Sequence, residues 1–350
     1  MENVEAPAVI KLLGEHAVVY GRLSVAAAIS LYAEASMEKS GSEYLKIRLE
    51  DLGLEGTFNN EQLKKLGADY EGRKSIEGYI EERNIDRRIL PFATIAARIS
   101  KELDMDMSGI SITIRSRIPM GKGLASSAAA STAFAVCLIK EYSERTKKVV
   151  DSEIAIDIAR DGERIVHVNE NAGKIDVSTS YLGGIVSYSA SAGAKKESAT
   201  ADFKLVLIDT GPKKSTAETV GHVTELYNRN REYVESIMDK IDKCSNIGLH
   251  AIKMGDTKLL GRYMFIDHHL LRQLGVSSER LDMAVEAAEM SGAYGAKLSG
   301  GGGGGIAIAI TDKESQLIES LAKLNMEARA VAITDKGASA VLKATKLQNA

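Results

Sequence analysis

Apolar positions along this chain recur with two different periods, and the alternation of those periods lays out the elements. Between Gly109 and Arg117, Ile110, Ile112 and Ile114 alternate with Ser111, Thr113 and Arg115, the period-two pattern of a half-buried strand. Similar runs predict strands at Val4 to Leu13, Leu23 to Met37, Tyr44 to Leu49, Ser178 to Ser189, Phe203 to Asp209, Ile306 to Ile310 and Ala328 to Ile333. Spacings of three and four predict helices at Glu61 to Leu66, Arg73 to Glu82, Leu90 to Leu103, Leu124 to Thr146 and Ser152 to Val166. In the second half they predict helices at Thr216 to Lys243, Ile247 to Met254, Lys258 to Leu274, Ser278 to Ser291 and Lys313 to Leu324. Mixed helices and strands with antiparallel returns imply an α+β protein. The small-residue stretch Ser189 to Ala194 suggests a junction between two domains, 1–190 and 191–350.

Composition narrows the class. At 350 residues with 44% hydrophobic and 27% charged residues, the chain is long enough for two domains with large cores. A net charge of −3 gives no bulk attraction to nucleic acid. Two cysteines, Cys137 and Cys244, fit a reducing compartment and exclude a disulfide framework. No apolar run approaches the roughly 18 residues of a membrane span, and the acidic start Met-Glu-Asn-Val-Glu is unlike a targeting peptide, so a soluble cytoplasmic protein is expected. A homodimer is left open.

Candidate chemistry begins at Pro119-Met120-Gly121-Lys122-Gly123-Leu124-Ala125-Ser126-Ser127-Ala128, where a glycine-bearing loop runs into a small-residue helix. Gly121 and Gly123 allow close approach of backbone to a ligand, and the free N–H groups at the helix start favour an anion. Ser126 and Ser127 in the first turn either cap the helix or ligate a magnesium ion held by nucleotide phosphates. A second tract, Ser299 followed by the six glycines Gly300 to Gly305, leads directly into a strand, which argues against a linker.

These two segments and Ala6-Pro7-Ala8-Val9-Ile10-Lys11-Leu12-Leu13-Gly14-Glu15-His16-Ala17-Val18-Val19-Tyr20-Gly21 together resemble the GHMP kinases, and the Gly-Glu-His run resembles their mevalonate kinase branch. Ile175 to Thr179 with Gly183-Gly184, and Gly162 to His167, are similar to two further family segments; Lys213 to Ala217 and Leu270 to Ser277 are similar to weaker ones. The insertion from Asp51 to Arg88 matches no motif.

The resemblance implies a ribosomal-protein-S5-like N-terminal domain, a ferredoxin-like C-terminal domain, and transfer of phosphate from ATP, with Mg2+, to the 5-hydroxyl of mevalonate or mevalonate 3-phosphate. By the same resemblance Asp176 is the catalytic carboxylate, and Glu163 the magnesium ligand together with Ser126 or Ser127. The loop from Pro119 to Ala128 holds the nucleotide, and Glu15, His16, Thr179, Ser299, Gly300 and Gly301 serve the acceptor. Asp176 is placed at the start of a strand. Glu170 competes with Glu163, because the spacing to Asp176 is two residues longer than the family's. Two departures stand out. Val9 occupies the position of a family lysine, leaving Lys11 as its substitute. Lys122 and Lys174 stand where small residues are usual, and are candidates to read a phosphate already on the acceptor. Asp267-His268-His269 is not expected to bind metal, since adjacent helical side chains diverge. A non-catalytic sensor, or a galactose- or homoserine-type kinase, are the alternatives.

Overall fold

The structure is a computed structural model that describes residues 2–199, 203–211 and 216–342. The expected landmark Lys213 to Ser215 lies outside the described residues. The chain opens with β1 (Glu2–Leu13), a 3-10 turn (Ala17–Tyr20), the long β2 (Ser24–Lys39), β3 (Leu45–Leu49) and β4 (Leu54–Phe58). There follow α1 (Asn60–Glu71), α2 (Ile76–Glu81), α3 (Leu90–Glu102), β5 (Ile110–Ser116), α4 (Ser126–Thr146), α5 (Ser152–His167) and α6 (Lys174–Leu182). The hairpin β6 (Ile185–Ser189) and β7 (Gly193–Glu197) completes the first sheet, in the order β4-β3-β5-β2-β6-β7 with β1 also paired to β2.

The second sheet is smaller. It comprises β8 (Leu205–Asp209), β9 (Gly295–Leu298), β10 (Ile306–Ile310) and β11 (Glu327–Val331), in the antiparallel order β11-β8-β10-β9. Its helices are α7 (Thr216–Arg229), α8 (Arg231–Met254), α9 (Thr257–Gln273), α10 (Glu279–Met290) and α11 (Glu314–Ala322). The C-terminal segment then returns to the first sheet, with Ser30 N–H donating to the Ala332 carbonyl and Thr334 N–H to that of Ala28.

Packing explains the layout. Helix α4 lies across β1 and β2 through Ala128, Ala129 and Ala133, whose small side chains let helix and strands approach, while Phe134 meets Phe92 of α3 edge-on at 5.4 Å. That brings the N-terminus of α4 up against the strand that carries Lys11.

Several expectations are corrected. Ser178 does not begin a strand: residues 174–182 form α6, and only 185–189 are extended. The stretch Ser189 to Ala194 is the turn of the β6–β7 hairpin, so strand pairing carries the first sheet on to Glu197. Asn230 breaks the predicted helix at 216–243, because its side chain caps the next helix by accepting from Tyr233 N–H; the break expected before Ile247 is absent. Gly295 to Leu298, for which the pattern predicts no element, is a fully buried strand, and β4 is likewise not predicted.

Candidate active site

A cavity of about 600 Å³ opens between the phosphate-type loop, the ends of α5 and α6, and the glycine tract. Lys11, Glu163 and Asp176 line it, as do Gly121, Gly123, Leu124, Ala125, Ser126 and Ser127 from the loop and Gly300 and Gly301 from the tract.

The loop conformation follows from its sequence. Gly121 and Gly123 have φ of 70° and 87°, and Ala125 takes φ 52°, a left-handed conformation that strains a non-glycine residue by roughly 1–2 kcal/mol. Ala125 is the N-cap of α4 and offers no side-chain cap. The first hydrogen bond of the helix is Ala129 N–H to the Ala125 carbonyl, so the N–H groups of Ser126, Ser127 and Ala128 have no partner within the helix. The hydroxyls of Ser126 and Ser127 make no hydrogen bond among the described residues. This helix end is built to receive an anion.

Asp176 sits in the first turn of α6, where the positive end of the helix favours its carboxylate. Lys11 Nζ donates to both its oxygens, at 2.7 and 3.0 Å. Burial works to lower the Lys11 pKa, but the facing carboxylates of Asp176, Glu15 and Glu163 outweigh it and hold the ammonium above its ordinary value. Val9, two residues earlier on the same strand face, is buried beneath Ile175 and Ala26, so an apolar contact fills the position of the family lysine.

Glu163 is buried on α5. One of its oxygens, Oε1, has no hydrogen-bond partner, and Oε2 lies 3.3 Å from His167 Nε2, a contact that raises the imidazole pKa. Gly173, with φ 74°, lets α6 start hard against Glu163: a Cβ there would fall 2.6 Å from the Glu163 Cβ. Glu170 is removed from contention, since its exposed carboxylate takes two hydrogen bonds from Arg73 at 3.1 and 2.8 Å. The unpartnered Glu163 oxygen and the serine hydroxyls line one cavity and are oxygen donors of the kind magnesium takes.

Other expected residues are placed differently. His16 is buried with φ 58°, and its Nε2 donates to the Gly301 carbonyl at 3.0 Å. Burial, aided by Lys11 and Lys297, pushes its pKa down to about 4; the ring is therefore neutral and Nδ1 is left as an acceptor. Glu15 does not open on the cavity but pairs with buried Lys297. Thr179 is buried, and its hydroxyl donates back to the Ile175 carbonyl at 2.7 Å. Ser299 Oγ accepts from Lys11 N–H at 3.0 Å, fastening the glycine tract to β1. Lys122 reaches across to the second sheet, 2.9 Å from Asp209, and Lys174 lies 3.6 Å from Glu153; neither lines the cavity. Pro119 faces a separate groove beside β8 and α11.

Sequence reasoning missed three contributions. The unplaced insertion supplies an apolar wall with Leu52 and Ile80, joined by Leu49 and Phe92. Ser131, one turn beyond the serine pair, also lines the cavity, and its buried, unpartnered hydroxyl lies close against Gly162. Lys297 and Asp267 form a buried charge cluster; a lone lysine inside the apolar run Gly295 to Leu298 was the available signal. Among the described residues there is no cluster of His, Cys, Asp or Glu able to hold a metal unaided, and His268 binds Asp282 while His269 is exposed.

The sequence is 31% identical to mevalonate kinase of Pyrococcus abyssi over 91% of this chain and 91% of that protein. The chain belongs to the GHMP kinase family. It is thus an ATP-dependent phosphotransferase acting on an alcohol. Models of the GHMP kinase N-terminal and C-terminal domains match residues 91–184 and 249–326 of this kinase. Among solved structures, Methanococcus jannaschii mevalonate kinase superposes with a TM-score of 0.76 at 25% identity, over 95% of this chain and 98% of that one. Mevalonate kinase of L. major in complex with R-mevalonate superposes with a TM-score of 0.71 at 25% identity, over 95% and 96%. No helix among the described residues is long and apolar enough to cross a membrane.

Proposed function

We propose that this kinase transfers the γ-phosphate of ATP to the 5-hydroxyl of mevalonate or of a mevalonate phosphate. The observation that carries the reading is the Lys11–Asp176 pair, at 2.7 Å, in one cavity with Glu163 and the open N-terminus of α4. Asp176 accepts the proton of the acceptor hydroxyl as its oxygen bonds to phosphorus and the bond to ADP breaks. Lys11 holds both oxygens of Asp176 in place and offsets charge near the transferring group. The N–H groups of Ser126, Ser127 and Ala128 cradle the donor phosphates, and the apolar wall of Leu49, Leu52, Ile80 and Phe92 suits a flat base. Glu163 with Ser126 or Ser127 would hold Mg2+, which neutralises phosphate charge when bound. His16 and the tract from Ser299 to Gly301 bound the acceptor side. The division between the lobes falls between Glu197 and Leu205, and the protein is read as cytoplasmic.

Plain mevalonate is the acceptor favoured by the relatives and by the pairing of Lys122 and Lys174 with carboxylates. Mevalonate 3-phosphate is the second reading, supported by Val9: the family lysine is gone while Lys122 stands at the phosphate loop. A metabolite sensor has no use for a carboxylate aimed into the cavity and gripped by Lys11, as Asp176 is. Turnover assays with mevalonate, mevalonate 3-phosphate and mevalonate 5-phosphate decide among these. Asp176→Asn is expected to keep the fold and ATP binding while losing about 10²- to 10⁴-fold in kcat on the preferred acceptor. Near-normal turnover of that variant would remove Asp176 from the mechanism, and no turnover of any acceptor by the unaltered protein would refute the kinase reading.

A further inference from the structure

Lys297 is fully buried on β9, and its ammonium meets three elements at once. It donates to Glu15 Oε1 in the loop after β1, donates to the Leu298 carbonyl at 2.7 Å on its own strand, and lies 3.4 Å from Asp267 Oδ2 on α9. Glu15 and Asp267 are buried as completely as the lysine. Two carboxylates around one ammonium are an expensive way to fill a core, because apolar side chains of equal volume generally pack there at no loss of stability. The cluster therefore has a geometric job.

Each partner leads to the active site. Next to Glu15 is His16, whose Nε2 donates to the Gly301 carbonyl, and two residues after Lys297 is Ser299, which bonds the backbone of Lys11. On the other side α9 and β9 pack closely together. Backbone touches backbone at Gly261 and Gly295, where a Cβ on Gly295 would fall 2.1 Å from the Gly261 carbonyl, and Leu298 N–H donates to His268 Nδ1 at 3.3 Å. Asp267 thus joins Lys297 to α9 of the second lobe, and Lys297 grips the loop from the first.

We propose that Asp267 and Lys297 are positioning residues that lock the loop of Glu15 and His16 to the second lobe and so hold the acceptor side of the site in register with the glycine tract. This rests on the assignment of the His16 loop to the acceptor. Glu15 Oε2 lacks a hydrogen-bond partner, and the Gly14 backbone bears on the Asp267 carboxylate together with Lys297. Burial, and the nearby Glu15 charge, push the Asp267 pKa up against the pull of Lys297, so Asp267 readily serves in its neutral form and Asn is its fair substitute.

The test compares Asp267→Leu, Asp267→Asn and the pair variant Glu15→Gln/Lys297→Met, which buries no new lone cation, with the unaltered kinase. Asp267→Leu and the pair variant are expected to raise the acceptor KM about tenfold or more while ATP affinity stays within about twofold, and Asp267→Asn to recover the acceptor KM to within about threefold. Hydrogen exchange should quicken in 14–21 and 299–305 and nowhere else. An unchanged acceptor KM, or a parallel loss for acceptor and ATP with faster exchange throughout, would overturn the proposal. Should the unaltered protein phosphorylate none of the acceptors, the functional reading fails alone, and the exchange pattern still decides this one.

Discussion

His16 shows how far one residue's chemistry depends on its surroundings. An unfolded chain carries histidine with a pKa near 6.5, whereas in the folded protein burial brings His16 down to about 4. Between those values the unfolded state binds a proton that the folded state refuses, so this residue's effect on stability is nil above about pH 6.5 and becomes a growing penalty as pH falls towards 4. Asp267 has the opposite sign, since a raised carboxyl pKa favours the folded state on the acid side. Subtracting the stability of a His16→Asn variant from that of the unaltered protein isolates the first effect. The difference is expected to be flat from pH 8 to 6.5 and then to slope by up to about 1.4 kcal/mol per pH unit. Denaturant titrations at pH 7, 6, 5 and 4.5 measure it, and a flat difference throughout would show that His16 is not held neutral by burial.

At the scale of elements, α6 sets where Asp176, the proposed base, stands. Ile175, Val177, Thr179 and Tyr181 are strand formers, and their local preference points to extended chain; packing against α4 and β1 overrides it, and Gly173 starts the helix in a left-handed turn that only glycine adopts without strain. Gly173→Ala is expected to be worse than the backbone strain alone, because its Cβ collides with Glu163. Gly193→Ala is the control: φ there is 71°, yet nothing lies within 4 Å of the added carbon. Each loses roughly 1–2 kcal/mol of stability from strain, and Gly173→Ala loses more and also depresses kcat as Asp176 and Glu163 are forced apart. Equal melting temperatures and equal kcat for the two variants would show that the close approach of α5 and α6 is without consequence.

For the molecule as a whole, the contacts that matter cross between the sheets. Lys122 in the phosphate loop pairs with Asp209 at the end of β8, both about 29% exposed, and its ammonium also donates to the Gly211 carbonyl at 3.3 Å. A pair this exposed is worth at most about 1 kcal/mol. If it clasps the loop to the second lobe, Asp209→Asn weakens ATP binding by about two- to fivefold, and more at low salt than at high. Titration of ATP by calorimetry at two ionic strengths checks this. Improved use of mevalonate 3-phosphate by Asp209→Asn would instead assign Lys122 to the acceptor's phosphate, since the substitution frees the ammonium.

The chain by itself determined what depends on local order: the two sheets' main strands, the anion-receiving turn at Gly121 to Ser127, and the candidacy of Asp176, Glu163 and Lys11. Each was legible because its signal lies within a few adjacent residues, as hydrophobic period, turn chemistry or motif. Only the tertiary structure separates Glu163, buried in the cavity lining, from Glu170, whose exposed carboxylate is held by Arg73, about a hundred residues away in the sequence. It also decided that Lys11 rather than Val9 meets Asp176, that Lys122 and Lys174 are paired, and that Thr179 is spent on its own helix. The Glu15–Lys297–Asp267 cluster was the least legible of all. Its members come from a loop, a strand and a helix far apart in the chain, and a charge's partner is fixed by where the fold places it, not by its neighbours in sequence.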